Sequence, residues 1–217
     1  MRNIQSLWRR SKNATLMFYR RKLSFKARTF NKIFPLHDYF GEMIGDKKEV
    51  DILDIGAGMF STTGSTWPDV KVHLYACDVL ADEFNAMLKA HNVVPVIPVT
   101  KEDMTQLSYP DNFFDIVHCE NALDHCADPM RALQEMYRVC KKGGFIYLSH
   151  FENVGEMMHY CGFHLWNIKG ENGDCIIWNQ DGTYKLSDFY KILSVEEKHD
   201  PTKKPNTVTA VKIVKTT

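Results

Sequence analysis

The chain has 217 residues, 44% of them apolar and 25% charged, which suits one α/β-sized domain with modest additions. Its zero formal charge hides an asymmetry: residues 1–32 hold ten Arg or Lys and no acid, leaving 17 basic and 27 acidic residues for the rest. An acidic body argues against a nucleic-acid partner. No apolar run approaches the roughly 18 residues of a membrane span, and no signal-type apolar stretch opens the chain. Six cysteines without a C-x-x-C pair or zinc spacing fit a reducing, cytoplasmic setting.

In chain order, residues 1–35 mix basic side chains with Leu16, Phe18, Leu23, Phe25 and Phe30, which predicts one or two amphipathic helices broken around Ser11 to Asn13. A helix over about 36–44 leads into a domain spanning 36–217. A first strand, 50–55, runs into a glycine loop and a helix over roughly 59–66. A second strand covers 71–77, with a helix starting near Ala81. Residues 93–97 predict a short third strand that Pro95 and Pro98 confine to a sheet edge. A fourth strand at 114–119 precedes a helix from Pro129 to Cys140, and Gly143-Gly144 leads to a fifth strand at 145–149. An insert over about 151–187 then holds a short helix at 154–160 and a hairpin, 175–178 with 183–186, turned by Asp181-Gly182. Strands at 191–196 and 207–214, with a polar loop through Pro201 and Pro205 between them, close the chain. The alternation implies a mostly parallel sheet covered on both faces.

The chemistry concentrates at Val50 to Gly58, V-D-I-L-D-I-G-A-G. Gly56 and Gly58 allow a tight turn and close approach of a ligand to the backbone, and a helix after them would aim its N–H groups at that ligand. Asp78 ends the second strand 20 residues past Gly58, where a carboxylate can hold a ribose diol. The residues therefore point to an adenine nucleoside derivative.

Further phrases accompany this one: Asp103-Met104; Tyr109-Pro110-Asp111-Asn112-Phe113-Phe114-Asp115 before strand four; Asn121-Ala122-Leu123-Asp124-His125-x-x-Asp128-Pro129 after it; and Lys141-Lys142-Gly143-Gly144 before strand five. Together, in this order, they resemble the class I S-adenosylmethionine-dependent methyltransferases over roughly residues 36–217. The resemblance implies a Rossmann-like seven-stranded sheet of order 3-2-1-4-5-7-6 with the last strand antiparallel, and S-adenosylmethionine as cofactor. It implies that Asp54, Gly56, Ala57, Gly58, Asp78, Val79, Asp103, Met104 and Glu120 hold that cofactor, Asp54 by ordering the glycine loop from beneath. His150-Phe151-Glu152-Asn153 and Gly162-Phe163-His164-Leu165-Trp166-Asn167 are similar to phrases of a bacterial subgroup associated with glycan and surface-polysaccharide assembly.

The expected reaction is methyl transfer to a hydroxyl of a small molecule or glycan. His125 and His150, each following a strand whose carboxyl end faces the crevice, are the candidate bases, with Asp124 or Glu152 to orient them. His125 could equally cap the turn before Asp128, and Glu152 the helix that follows it. His164, Trp166 and Trp178 could form an aromatic platform for a sugar, or Trp166 and Trp178 could fill the core of the insert. No sequence-local ligand motif is present and no metal is expected, although Asp124, His150 and Glu152 offer donors. His118 reads as a core residue. Two rival readings use the same residues: a nicotinamide-dependent oxidoreductase, since Gly56-x-Gly58-x-x-Ser61 approximates a dinucleotide fingerprint, and a non-catalytic scaffold with the same fold. The basic arm reads as a lid on the domain, with peripheral contact to an anionic membrane surface compatible with that role.

Overall fold

Val50, Ile52, Leu53 and Ile55 put apolar side chains on both faces of one strand, as a strand covered on either side needs, and in the computed structural model it lies at the centre of the main sheet. The structure describes residues 4–199 and 205–216. The strands are β1 (Glu49–Ile55), β2 (Lys71–Asp78), β3 (Val99–Lys101), β4 (Phe114–Glu120), β5 (Cys140–Phe151), then β6 (Asn167–Glu171), β7 (Asp174–Trp178) and β8 (Thr183–Lys185) of the insert, and finally β9 (Lys191–His199) and β10 (Thr207–Val214). The main sheet has the order β3-β2-β1-β4-β5-β10-β9. β1 to β5 pair in parallel and β10 runs antiparallel to both its neighbours. With β9 and β10 as the sixth and seventh strands of that sheet, this is the 3-2-1-4-5-7-6 order expected.

Alternate residues of β1 feed the two layers. Val50 and Ile52 pack with Phe40, Met43 and Ile44 of the segment that leads in, while Leu53 and Ile55 pack towards Leu133, Met136 and Val139. Those last three lie on α4 (Pro129–Val139), which opens as its sequence requires: Pro129 fills the first turn and the Asp128 carboxylate accepts the Arg131 N–H at 2.9 Å. The lead-in is a 3-10 turn at Asp38–Phe40 continued by α2 (Gly41–Ile44). α3 (Ala81–Ala90) follows β2, and α5 (Val154–Met157) is a single turn after β5.

The N-terminal helix α1 (Ile4–Phe30) runs without the break expected near Ser11. Ser11 is buried, and Leu16, Tyr19, Leu23, Ala27 and Phe30, spaced by three or four residues, form one stripe against Phe60, Leu80, Phe84 and Leu88. The bond from Lys12 to Glu83 ties α1 to α3.

Three further expectations fail. No helix occupies 59–66; the segment Ser61-Thr62-Thr63-Gly64-Ser65-Thr66 is irregular. Its hydroxyls bond locally, Ser61 Oγ with Thr63 Oγ1 at 2.9 Å, which competes with helix formation. Its backbone bonds to residues 34–37 instead, through Leu36 N to Thr66 O and Ser65 N to Phe34 O. The third strand is Val99–Lys101, not 93–97, because Pro95 and Pro98 lack the N–H groups a ladder needs. β5 starts at Cys140 rather than 145, with an irregular register around Phe114 and Ile116 that absorbs the two glycines. The loop through Pro201 lies outside the described residues.

The insert adds a three-stranded antiparallel sheet, β6-β7-β8, whose first strand the sequence did not announce. Ile168, Cys175, Ile177 and Leu186 join the main core, so the insert is fused to the domain rather than appended to it.

Candidate active site

The glycine loop and Asp78 meet as their spacing implies. Gly56 N and Ala57 N both donate to Cys77 O, at 2.9 and 3.0 Å, and the Asp78 carboxylate accepts from Gly58 N at 3.0 Å and Leu80 N at 2.8 Å. Burial pushes the Asp78 carboxyl up, against the two backbone N–H groups that hold it ionised. Both glycines have positive φ, +72° at Gly56 and +66° at Gly58. A Cβ on Gly56 would stand 2.2 Å from the Ala122 Cβ, so the loop after β4 is packed directly on the loop after β1. A Cβ on Gly58 would stand 2.1 Å from the Tyr19 hydroxyl of α1. The N-terminal helix thus covers the loop, with the Tyr19 ring centred 4.6 Å from that of Phe84 and tilted 49° to it. Burial and the nearby Asp78 carboxylate push the Tyr19 phenol up to about 12, the Met59 backbone N–H opposing them.

Several residues expected around a nucleoside cofactor surround this loop. Met104 lies 4.0 Å from the Gly56 Cβ position. Asp103 shapes its own turn, its Oδ1 accepting from Thr105 N at 2.8 Å and Thr105 Oγ1 at 2.7 Å. Glu120, at the end of β4, accepts from Thr62 Oγ1 at 3.3 Å. Ala57 packs beside Ala76 and Ala81, and Val79 is exposed. Asp54, expected to order the glycine loop from beneath, lies at the end of β1 just before that loop and has a further partner. It is buried beneath the sheet end, and its Oδ1 bonds His118 Nδ1 across the β1–β4 pair at 2.8 Å. His118 Nε2 in turn meets the Tyr39 hydroxyl at 3.1 Å. Asp54 therefore anchors a buried Asp–His–Tyr chain that sequence spacing could not reveal.

A second polar group gathers at the carboxyl end of β4. His164 Nδ1 lies 2.8 Å from Asp124 Oδ2 and 3.2 Å from His125 Nε2, and His125 Nε2 lies 3.5 Å from the same carboxylate oxygen. Backbone bonds fix this meeting. Asp124 O accepts from Leu165 N at 2.9 Å and Trp166 N at 3.2 Å, and Cys126 O accepts from Trp166 Nε1 at 3.0 Å. Although burial opposes ionisation of Asp124, the bond from His164 and the nearby His125 and His150 rings hold its carboxyl below the usual range. Desolvation lowers the His125 imidazole, with Asp124 opposing it.

The structure separates other candidates from this cluster. Glu152 accepts from Thr209 Oγ1 and from Gly170 N at 3.1 Å, so it pins β6 to β10 and is a positioning residue for the insert. His150 is 1% exposed with neither ring nitrogen hydrogen-bonded, which removes it as a solvent-facing base. Trp166 is buried in the main core and Trp178 bonds Glu156 Oε1 at 3.3 Å while Lys169 lies over its ring, so the two indoles form no shared platform. Of the aromatic group, only His164 reaches the cluster. Tyr19 was missed by the sequence reading; its i, i+4 spacing to Leu23 marks the face of α1 that docks, but nothing local marks the glycine loop as its target.

Residues 53–148 match the family model described as a methyltransferase domain. Among curated proteins, the chain is 34% identical over 104 residues to a demethylmenaquinone methyltransferase of Streptomyces avermitilis, covering 47% of this chain and 42% of that protein. It is 26% identical over 144 residues to a ubiquinone/menaquinone biosynthesis C-methyltransferase of Vibrio cholerae, covering 62% of this chain and 54% of that one. The chain thus spans about half the length of these curated relatives. Among solved structures, an S-adenosylmethionine-dependent methyltransferase from Methanosarcina mazei aligns with a TM-score of 0.52 at 17% identity, over 84% of this chain and 99% of that one, a likeness of fold.

Proposed function

We propose that this chain, a class I S-adenosylmethionine-dependent methyltransferase by its sheet and by the domain match over residues 53–148, transfers a methyl group to a hydroxyl oxygen of a small molecule or glycan. Its cofactor is S-adenosylmethionine, and the residues present fit it: two positive-φ glycines open a backbone cradle beside a carboxylate at the β2 tip. That cofactor supplies an electrophilic methyl group and its own leaving group; the protein supplies position and a place for the acceptor proton.

The observation that carries the acceptor reading is the Asp124–His125–His164 cluster, held one packed contact from the cofactor loop through Ala122 and Gly56. Asp124, ionised, accepts the His164 Nδ1–H and keeps that ring oriented. His125, neutral near pH 7 and at the exposed rim of the cluster, offers Nε2 as the acceptor of a proton from a substrate hydroxyl that approaches from solvent. Tyr19 stands over Gly58, so α1 acts as a lid that turns aside to admit the cofactor and excludes water once closed. The outer stripe of that helix, Phe18, Arg21, Lys22 and Phe25, is exposed and mixes aromatic with basic residues, which suits a second role in contact with an anionic membrane surface. No helix among the described residues is long and apolar enough to cross a membrane.

Carbon methylation is the second reading, favoured by the C-methyltransferase name of the Vibrio cholerae relative. The same cluster would then take the proton of an enol or phenol whose ring carbon receives the methyl group. The test begins with calorimetric titration of S-adenosylmethionine, its demethylated product and NAD⁺ into the wild type and Asp78→Ala. Binding of the first two, weakened at least about tenfold by the substitution, supports the reading. NAD⁺ binding alone would overturn it in favour of an oxidoreductase. Nucleotide sugars, glycans and phenols are then screened with a carbon-labelled methyl donor, and the chemical shift of the transferred methyl separates oxygen from carbon products.

A further inference from the structure

We propose that Asp124, His125 and His164 form a binding site for one divalent first-row transition-metal ion, open on one side to the acceptor. Asp124 Oδ2, His125 Nε2 and His164 Nδ1 are mutually 2.8, 3.2 and 3.5 Å apart. A point about 2.1 Å from all three atoms, an ordinary metal–nitrogen or metal–oxygen bond length, lies about 1 Å outside their plane. The three donors subtend angles averaging about 100° at that point, between octahedral and tetrahedral values. Two imidazoles and one carboxylate on one face of an ion leave the opposite positions free for water or a substrate oxygen. Two imidazole donors favour zinc, iron or a similar later first-row ion such as cobalt over magnesium, calcium or manganese.

The frame is built before any ion arrives. The 122–126 loop and the 163–166 loop are joined by three backbone-anchored hydrogen bonds, so all three donors are preset rather than gathered from mobile side chains. The His125 and His164 rings meet edge to face at 68°, with centroids 4.7 Å apart. Their side chains are 35% and 29% exposed and that of Asp124 is 9%, giving a buried carboxylate with two imidazoles at the rim. His150 supplies an independent sign that a group belongs here. It lies at the carboxyl end of β5, next to that of β4, is fully buried, and both of its nitrogens lack a partner. A neutral imidazole left unbonded in a protein interior is costly. A water or hydroxide on the ion, reaching into the interior, would give it one.

The sequence offered Asp124, His150 and Glu152 as donors; folding takes Glu152 away to β10 and brings His125 and His164 instead. Resting on the methyl-transfer reading, the ion would take the place of His125 as the activating group: it would bind the acceptor oxygen and lower the pKa of its hydroxyl, so that the proton passes to solvent at the exposed rim before the oxygen attacks the methyl carbon.

Untagged full-length protein, stripped with a chelator, is titrated with Zn²⁺ and Co²⁺ by calorimetry and visible absorption, without cofactor. The expected result is one equivalent bound with micromolar or tighter affinity, with cobalt d–d bands. His164→Gln should weaken binding at least 50-fold, and His91→Gln, on the exposed end of α3, should not change it. Absent saturable binding, or equal loss in both variants, overturns the site and leaves one proton shared by the three groups. If His164→Gln fails to fold, zinc-edge X-ray absorption on the wild type decides: two imidazole ligands support the site, and one or none overturns it. Parallel titration with S-adenosylmethionine separates the two claims. Cofactor binding without metal binding removes only the ion, whereas metal binding without cofactor binding leaves the ion site and removes the methyl-transfer reading.

Discussion

The Tyr19 hydroxyl and Gly58 occupy adjoining space, so that a Cβ on Gly58 would lie 2.1 Å from that oxygen and 2.9 Å from the Tyr19 Cζ. One residue belongs to the basic arm and the other to the cofactor loop, 39 positions later in the chain. The N-terminal helix and the glycine loop are therefore a single packed unit, and on the proposed function a change in one reaches cofactor binding through the other. Two costs act on Gly58→Ala: a left-handed φ that disfavours any Cβ by about 1–2 kcal/mol, and collision with Tyr19. The first is unavoidable; the second vanishes if Tyr19 is truncated. Gly58→Ala is expected to lower the melting temperature by several degrees and cofactor affinity about tenfold. In a Tyr19→Ala background the stability cost should shrink to the backbone component alone. A double-mutant cycle by thermal melting checks this, and additivity would show that the two residues do not meet. Tyr19→Ala alone should also speed cofactor association several-fold in stopped flow, since the lid then has less to displace.

Glu152 provides a contrast between holding and catalysing. Its carboxylate takes the Gly170 N–H and the Thr209 hydroxyl, linking β6 of the insert to β10 of the main sheet. Glu152→Gln keeps one acceptor oxygen and should cost about 1–2 kcal/mol of stability, near the worth of a hydrogen bond to a charged group. The turnover per folded molecule should stay within about threefold of wild type, because Glu152 does not touch the Asp124 cluster. A large fall in kcat with an unchanged urea midpoint would return Glu152 to the catalytic group.

Much of the sheet was legible because its signals are local. The apolar runs of β1, β2 and β4, the Pro129 start of α4 and the glycine spacing to Asp78 each act within a few residues of where they are read. The helix expected at 59–66 was not, because the decisive partner, residues 34–37, lies outside the window. The site divides in the same way. Asp124 and His125 are neighbours in sequence and both were placed at the β4 end, but His164 joins them only through the docking of a loop 39 residues on. Asp54 and Glu152 were given functional roles because their long-range partners, His118 and Thr209, are fixed by strand pairing rather than by spacing.

Asp54 illustrates what such a buried pair contributes. Asp54 and His118 are direct neighbours in the β1–β4 register, and both are almost fully buried. Removing one partner leaves the other polar group stranded, which costs about 3–5 kcal/mol for buried pairs. Asp54→Ala should therefore unfold at clearly lower denaturant than the wild type, while Asp54→Asn, which still accepts the His118 N–H, should lose about half as much. Tyr39→Phe removes only the outer end of the chain and should cost about 1 kcal/mol. Equal losses in all three variants would mean that the bonds are not energetically distinct.

The buried His150 ring makes the fold sensitive to acid in a defined window. Desolvation pushes its imidazole down to about 4, with Asp124 opposing and the His125 and His118 rings adding to the effect. In the unfolded chain the ring titrates near its ordinary value of about 6.5. Above that value both states carry a neutral ring and the stability is fully present. Between about 6.5 and 4 the unfolded chain binds a proton that the folded chain refuses, so unfolding becomes easier as pH falls, and below about 4 the slope from this group ends. Integrated across the window the loss is about 3 kcal/mol as an upper bound. The carboxylates held low in the fold, Asp115 and Asp124, lose their contributions only at lower pH, which separates the two effects. Urea midpoints measured from pH 7.5 to 4 should fall steadily for the wild type. His150→Leu, apolar and of similar volume but different shape, carries no titrating ring and should remain flatter across the same range. A wild-type profile that is flat from pH 6.5 to 4 would mean that the ring is solvated or bonded in solution, and that its isolation in the sheet is not its working state.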